Sequence, residues 1–250
     1  MIIDSHCHLL SMEYENVDEQ IKMAIENGVT KMIINGYDLK SSMEAVSLAN
    51  KYKEVYAAVG IGPENVEGAG VFELKKIKEL ALNEKVVAIG EIGLDYYWIK
   101  DNKEKQKKLF IKQLELAEKY NLPVIIHSRD AVQDVYDILK TRNLRGSIHC
   151  YSGSTEMAKE FIKIGFNIGI DGPITFKNNK KQREMVKNID INHILVETDS
   201  PYLSPEPNRG KVNTSLNLVY ILKQIALELD MEYEEIKEIT TNNARNLFKI

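Results

Sequence analysis

The sequence predicts an α/β protein, a (β/α)8 TIM barrel in a single domain that spans residues 1–250. Short β-branched apolar runs alternate with longer stretches of helical periodicity, as in βα units around a parallel sheet. Eight such runs can be placed in 250 residues, a usual length for this barrel. With 44% hydrophobic and 28% charged residues, the composition is that of an ordinary globular chain without a linker.

The predicted strands are short apolar runs that end at polar or glycine-containing segments. They cover residues 2–4, 31–35, 55–60, 86–91, 123–127, 146–149, 166–170 and 193–199. The predicted helices carry apolar residues three and four positions apart, as an amphipathic helix requires. They cover residues 17–27, 43–52, 72–82, 104–120, 131–141, 156–164 and 216–229, and residues 233–248 predict an extra C-terminal helix. Gly28 and Gly165 stand where helix C-caps belong.

Charge and cysteine content narrow the class of protein. A net charge of -4 argues against a protein that coats nucleic acid through a basic face, although it allows an enzyme that binds one phosphate through metals. The two cysteines, Cys7 and Cys150, are too few for a disulfide scaffold, so we expect both to be reduced. Neither a leader nor an apolar run of about 20 residues is present, so we expect a cytoplasmic protein without a membrane partner.

Six side chains of metal-ligating types follow or end predicted strands. In a barrel of this kind the carboxyl ends of the strands form the face that carries the chemistry. The six are His6 and His8 after the first strand, Glu91 at the end of the fourth, His127 of the fifth, His149 of the sixth and Asp199 of the eighth. His193 begins the eighth strand, so we expect it at the opposite face.

Each of these residues also has a structural explanation when taken singly. Glu91 fits a buried acid beside an arginine or a helix N-terminus, and His127 or His149 fits a hydrogen-bonded histidine of the core. Asp199 fits a residue that caps the turn after it. Independent structural roles would not all select the carboxyl ends of strands, so the combination favours a metal site.

The ligand types and their number limit what such a site does. His6 and His8 are two residues apart and project from one side of an extended segment, whereas Cys7 points the other way and is expected to pack. Imidazole and carboxylate ligands suit Zn, Mn, Fe, Co or Ni, and Mg is a further option. Six ligands fit two divalent ions about 3.5 to 4 Å apart that share a carboxylate, for which Glu91 is the natural bridge. Glu91 and Asp199 are the predicted catalytic residues.

Longer motifs surround these side chains. They read DSHCHL at 4–9, GEIGLDYY at 90–97, PVIIHSRDA at 123–131, HCYSG at 149–153, VETDSPYL at 196–203 and NNARNLF at 242–248. In order and spacing they resemble the TatD family of metal-dependent deoxyribonucleases, from residue 2 to the end of the chain.

That resemblance implies a TIM barrel of the amidohydrolase type and a distribution of the ligands over two metals. It implies that His6 and His8 bind one metal and that His127 and His149 bind the other. Glu91 would be shared, and Asp199 would lie beside the nucleophilic water. The resemblance also implies 3′-to-5′ exonuclease activity on DNA.

The chain departs from the family pattern at two places. Gly62 stands where the family often carries the histidine of a Gly-x-His-Pro motif. Asn208 replaces the histidine of a His-Arg-Gly-Lys motif, and Thr214 or Ser215 replaces the proline that often follows. Arg209 and Lys211 are retained, so a phosphate clamp stays a reasonable expectation. The metal ligands are untouched by either change.

The sequence therefore predicts a metal-dependent hydrolase that trims single-stranded DNA ends from the 3′ side, with Arg129 and Arg209 as substrate-binding residues. The alternative is a metal-dependent esterase or deacylase, for example on aminoacylated nucleic acid or a lactone. A metal-storing or regulatory binding protein is a further class, which the complete ligand set disfavours.

Other segments near the strand ends have two interpretations each. Tyr96, Tyr97 and Trp98 either stack on a base or pack on one another. Asp171 either lines the site or, as we favour, shapes a turn with the residues that follow it. The basic run at 177–183 either contacts nucleic acid or, as we favour, is the solvated, basic start of a helix.

Overall fold

The computed structural model describes residues 1–98 and 101–250, and it divides into two compact units. Unit 1 consists of Met1–Ile33, Cys150–Lys163 and Asn167–Ile250. Unit 2 consists of Ile34–His149 and Ile164–Phe166. That residues 1–250 form a single domain stays a prediction.

Eight strands alternate with helices along the chain, which confirms the (β/α)8 TIM barrel. The strands are β1 (Ile2–Cys7), β2 (Val29–Asn35), β3 (Val55–Val59), β4 (Val86–Asp95), β5 (Val124–Arg129), β6 (Gly146–Ile148), β7 (Phe166–Ile170) and β8 (Ile194–Val196). They belong to one sheet in the order β1 to β8. Neighbouring strands pair in parallel, as β3 does with β4 and β7 with β8. The predicted strand at 166–170 has the observed bounds.

Three strands continue beyond their predicted ends, so some ligands lie within strands. β1 includes His6, β5 extends past His127 to Arg129, and β4 extends past Glu91 to Asp95. The pairing of β4 with β5 is irregular between Ile89 and Ile92. Beyond this point Gly93 pairs with His127, and a Cβ at Gly93 would lie 2.0 Å from the His127 carbonyl oxygen. Only glycine allows the two strands to approach this closely.

Most helices begin and end close to the predicted positions, but the second helix begins four residues early and only the start of the seventh was predicted. They are α1 (Val17–Glu26), α2 (Leu39–Lys51), α3 (Val71–Leu80), α4 (Lys103–Tyr120), α5 (Val132–Leu139), α6 (Thr155–Lys163), α7 (Lys180–Asn188), α8 (Leu218–Leu229) and α9 (Tyr233–Phe248). Asp38 caps α2, because its side chain accepts a hydrogen bond from the Ser41 amide at 2.7 Å. Gly28 and Gly165 have φ of 91° each, as expected for glycines that follow helices. The extra C-terminal helix, α9, is confirmed with its predicted bounds.

Helix α7 begins within the basic run at 177–183, which we interpreted as a solvated helix start, and it continues to Asn188. Its buried residues are Gln182, Met185 and Val186, so the apolar face is too narrow for the sequence to stand out as helical. Arg183 is not simply solvated, because its guanidinium donates to the Phe176 and Lys177 carbonyls at 2.9 Å each. Arg183 therefore holds the loop before α7 against the helix.

The strands supply much of the buried core, and all ten residues of β4 are buried. Strands that are covered on both faces read as continuous apolar runs, which explains why these segments were predictable. Short 3-10 helices at Pro63–Gly68, Gly172–Thr175, Ile191–His193 and Ser215–Asn217 join several elements. Within the described part of the chain, every helix is too short or too polar to cross a bilayer.

Candidate metal centre

The first cluster of ligands, which we call trio 1, consists of His6, His8 and Asp199 in unit 1. The Nε2 atoms of His6 and His8 lie 3.1 Å apart. The Asp199 Oδ1 atom lies 3.4 Å from His6 Nε2 and 3.5 Å from His8 Nε2. Because the two histidines are separated by one residue of an extended chain, they share a side, as the spacing predicted.

Backbone contacts hold trio 1 in place. The Asp199 amide donates to the His6 carbonyl at 3.0 Å, and the His8 amide donates to the Ser200 carbonyl at 2.7 Å. Asp199 has a φ of 50°, a left-handed conformation that aspartate tolerates better than most residues. Its side chain lies close to His6 and His8, and it does not serve merely as a turn cap.

Asp4 supports the same corner of unit 1, and the sequence did not single it out. It is fully buried and accepts hydrogen bonds from the Thr198 amide at 3.0 Å and from the hydroxyls of Thr198 and Ser215 at 2.7 Å each. Burial raises the pKa of Asp4 to about 6 despite these hydrogen bonds. Ser215 is one of the two residues, with Thr214, that we placed where the family often has proline, and its hydroxyl has a structural role here.

The second cluster, trio 2, consists of Glu91, His127 and His149 in unit 2. The Glu91 Oε1 atom lies 2.8 Å from His127 Nδ1 and 2.9 Å from His149 Nε2. The two ring nitrogens lie 3.2 Å apart. The three residues come from β4, from β5 and from the position after β6, so strand pairing brings them together.

Asp95 lies behind His127, and the sequence analysis missed it. Its Oδ2 atom lies 3.0 Å from His127 Nε2, on the side of the ring opposite Glu91. Its Oδ1 atom accepts hydrogen bonds from the amides of Tyr97 at 2.9 Å and Trp98 at 3.0 Å. A carboxylate in this position fixes the orientation of a metal-binding histidine. The four-residue separation from Glu91 within one strand is the signal that could have identified Asp95.

The two carboxylates also set the charge of His127. Burial alone would lower the pKa of its imidazole, but hydrogen bonds to Asp95 and Glu91 outweigh burial and raise the pKa to about 10. Burial would raise the pKa of Asp95, yet the His127 ring and the Trp98 amide hold that pKa below its usual value. A cation at Nδ1 of His127 would therefore compete with a proton.

Both trios fit a divalent cation by their donor sets. Each offers two imidazole nitrogens and one carboxylate, the combination that suits first-row transition metals. In trio 2 the ligand atoms lie within 4.8 Å of one another. Three protein ligands and an open position are typical of catalytic rather than structural zinc sites. The residues of unit 1 and of unit 2 can thus each hold a metal.

A further acidic group lies in the interior of unit 1. Glu197 is fully buried, and its carboxyl accepts a hydrogen bond from the Cys150 amide at 2.6 Å. Burial, and next the neighbouring Asp171, raise the pKa of Glu197 well above its usual value. Asp171 is buried beside Cys150 and Asp199. Its backbone precedes the turn at Gly172–Thr175, as we predicted, but its side chain does not cap that turn.

The two cysteines lack a disulfide, as predicted, and Cys7 packs in the core of unit 1. The Cys7 thiol donates to the Ile33 carbonyl at 3.4 Å. Burial, and next the Asp171 charge, raise the pKa of the Cys150 thiol well above its usual value. Neither thiol is prepared to act as a thiolate nucleophile.

Arg129 and Arg209 both lie over aromatic rings. The Arg129 guanidinium carbon is 4.1 Å from the centroid of the Tyr97 ring, and that of Arg209 is 4.2 Å from the centroid of the Phe176 ring. Arg209 also lies 3.9 Å from the Glu206 carboxylate. In each unit an aromatic ring lies against the guanidinium group and orients it. That the two arginines contact the substrate stays a prediction.

The departures from the family pattern are accommodated locally. A Cβ at Gly62 would have as its nearest neighbour the Tyr37 carbonyl oxygen at 3.5 Å, which is an ordinary contact. The Asn208 amide donates to the Asn217 side chain at 2.8 Å. His193 lies in a 3-10 helix before β8, at the amino end of that strand, as predicted.

Comparisons with known proteins identify the family of this chain. A family described as "TatD related DNase" matches residues 3–249. The chain is 43% identical over 254 residues to the uncharacterized metal-dependent hydrolase YabD of Bacillus subtilis, and the match covers 100% of both chains. It is 33% identical over 256 residues to the uncharacterized metal-dependent hydrolase YcfH of Escherichia coli K12, covering 100% of this chain and 96% of YcfH.

A solved structure shows the same architecture. The crystal structure of YJJV, a TatD homologue from Escherichia coli K12, superposes with a TM-score of 0.91 at 28% sequence identity. The superposition covers 100% of this chain and 98% of YJJV. By sequence and by fold, the chain belongs to the TatD family and is a metal-dependent hydrolase.

Proposed function

We propose that this hydrolase cleaves phosphodiester bonds and trims DNA from the 3′ end, with single strands preferred. The observation that carries the proposal is the presence of two trios of imidazole and carboxylate ligands, one in each unit. The family supports it, since it is described by a DNase activity. The net charge of -4 fits an enzyme that binds phosphate through metals rather than through a broad basic surface.

In this proposal the chain's residues divide the work. His6, His8 and Asp199 would hold one divalent cation, and Glu91, His127 and His149 would hold the other. When bound, such ions lower the pKa of a water and stabilise negative charge on a phosphoryl or carbonyl oxygen. Asp199 orients the attacking water and accepts its proton. Arg129 and Arg209 contact the nucleic acid.

The proposed preference for single-stranded DNA ends follows from how easily a substrate can enter the site. A free strand end enters a site at the ends of barrel strands more easily than a continuous duplex does, because it needs no unpairing. The 3′ polarity comes from the family resemblance. Both preferences can be tested directly on substrates.

A second candidate, a carboxylic esterase or deacylase, is favoured by one cavity. This cavity of about 540 Å³ in unit 2 is lined by Asp38, Glu64, Glu67 and Glu73, against a single Lys40. Carboxylates repel a polyanion but suit a substrate with a cationic amine, such as an aminoacyl ester. Gly62, in place of the family histidine, removes a further group that could contact phosphate.

The two functions are separated by one experiment at equal metal loading. The substrates are a labelled linear oligodeoxynucleotide, its circularised form, and a panel of carboxylic esters that includes aminoacyl nucleotides. We expect the linear strand to shorten stepwise from its 3′ end while the circle persists. If every DNA survives while a carboxylic ester is hydrolysed, the nuclease proposal fails and the deacylase stands.

A further inference from the structure

Three side chains form an exposed cluster in unit 2, which we call the aromatic platform: Tyr97, Trp98 and Arg129. The Tyr97 and Trp98 ring centroids lie 4.9 Å apart, with the ring planes at 84°. The Arg129 guanidinium carbon lies 4.1 Å from the Tyr97 centroid and 5.2 Å from the Trp98 centroid. Two π systems and one delocalised cation are therefore presented together.

The two aromatic side chains of the platform are exposed to solvent. Tyr97 is 48% exposed and Trp98 is 62% exposed. Tyr96, next to them, is buried and its hydroxyl donates to the Asp134 carboxylate at 2.7 Å. The three consecutive aromatics thus divide, with Tyr96 packed into the fold and the other two left on the surface.

The platform is tethered to trio 2 through a single carboxylate. The Asp95 Oδ1 atom accepts hydrogen bonds from the Tyr97 and Trp98 amides, and its Oδ2 atom contacts His127 Nε2. Arg129 is two residues beyond His127 on β5, and its backbone lies opposite that of Asp95 in the register of β4 with β5. The platform therefore lies beside the candidate metal ligands of unit 2.

The charge of the platform points to an anionic ligand with a flat ring. Among the residues that the structure describes, no ion pair joins the Arg129 guanidinium to an acid, although the Glu64 carboxyl group interacts with its charge over a longer distance. The guanidinium lies over the two rings. A guanidinium held in this way can contact a phosphate at its edge while the rings accept a base by stacking. A nucleotide carries both groups, whereas an aliphatic ester carries neither.

We propose that the aromatic platform stacks on a nucleobase of the strand that the enzyme cleaves, and that it is the base-binding subsite of unit 2. This inference rests on the proposed function and deepens it. Because every base has a π face, the platform would accept a base without reading the sequence. It predicts tolerance of all four bases and a loss of affinity at an abasic position.

Trp98 makes the proposal measurable without turnover, since it is the only tryptophan in the chain. Thymidine 5′-monophosphate is titrated into the metal-loaded protein while the tryptophan fluorescence is followed. The matched probe is 2-deoxyribose 5-phosphate, which has the same phosphate and sugar but no base. We expect saturable quenching by the nucleotide and none by the sugar phosphate.

Three variants locate the effect. Tyr97→Leu keeps an apolar side chain without the ring and should raise the dissociation constant of the nucleotide about tenfold, the usual worth of one stacked base. Tyr97→Phe keeps the ring and should restore binding. Phe72→Leu removes another aromatic of unit 2, which is 61% exposed and lies outside the platform, and it should change nothing.

The outcomes separate this inference from the proposed function. Base-dependent quenching without cleavage of any DNA keeps the platform and overturns the phosphodiesterase. Cleavage of DNA with no quenching, with equal quenching by the sugar phosphate, or with unchanged nucleotide affinity in Tyr97→Leu overturns the platform and leaves the phosphodiesterase in place.

Discussion

Trio 1 and trio 2 use the same ligand types but are assembled differently. In trio 1 two ligands come from one extended segment, and backbone hydrogen bonds between the segments around His6 and Asp199 position the third. In trio 2 each ligand comes from a different strand region, and Asp95 braces His127 from behind. Ligands on one strand are aligned by the pleat, whereas ligands on three strands need correct register and a supporting side chain.

The largest expected effect concerns metal content and compares the trios directly. We expect two divalent ions per wild-type chain, and one in the double variant His6→Ala with His8→Ala, because trio 2 should keep its ion. His193→Ala is the matched control, since it removes a histidine outside both trios. Elemental analysis of dialysed protein gives the count. Saturation of the wild type at one ion would refute the arrangement with two metals.

The next effect separates proton transfer from metal binding. Asp199→Asn should keep most of the metal but lower kcat by about a hundred- to ten-thousand-fold, since a general base contributes about that much. Glu91→Gln should lose metal as well as activity. Both variants are measured for kcat and for metal content in the same preparation. Near wild-type turnover in Asp199→Asn would show that another group accepts the proton.

A smaller effect tests the contact between Asp95 and His127 in trio 2. Asp95→Asn should weaken metal binding at trio 2 by about 10- to 100-fold, the usual cost of losing the carboxylate behind a histidine ligand. Trio 1 should keep its affinity. Asp134→Asn, in the same unit but hydrogen-bonded to Tyr96 instead, is the control and should leave both affinities unchanged. Isothermal titration with the metal measures this, and equal weakening by both variants would remove the special role of Asp95.

The smallest effect concerns the family histidine that this chain lacks. Gly62→His should raise kcat/KM on a DNA strand severalfold if that position serves the phosphate or the leaving group, and the local space admits a side chain there. Gly62→Ala tests for the effect of backbone stiffening alone and should give no increase. A fall in activity with both variants, measured at equal metal loading, would show that the position needs glycine itself.

Much of the fold and of the ligand set could be predicted from the sequence, because both follow from apolar periodicity and strand order. The strand at 166–170 and the helix at 233–248 have the predicted bounds, since apolar and polar residues change sharply there. The predicted end of β4 was wrong. Glu91 looks like the polar residue that ends a strand, but β4 continues to Asp95.

The supporting carboxylates could not be predicted in the same way. Asp4 is bonded to Thr198, which is 194 residues away, so its role depends on a tertiary contact that no local pattern reveals. Glu197 is similar, because its partners Ser5 and Cys150 come from distant segments. Only the start of helix α7 was predicted, for a different reason: basic residues outnumber its buried apolar ones, so its apolar periodicity is weak.

One carboxylate, Asp95, has its two oxygens on two different tasks, holding the His127 ring with one and the Tyr97 and Trp98 amides with the other. If trio 2 binds a cation and the rings bind a base, as we propose, this arrangement would link the two binding events thermodynamically. A cation that fixes the imidazole would also restrain the turn that carries the rings, and a ligand that orders the turn would also restrain the imidazole. By reciprocity, each ligand must change the affinity of the other by the same factor. Product that leaves the rings would thereby loosen the hold on the metal, and a newly bound strand would tighten it.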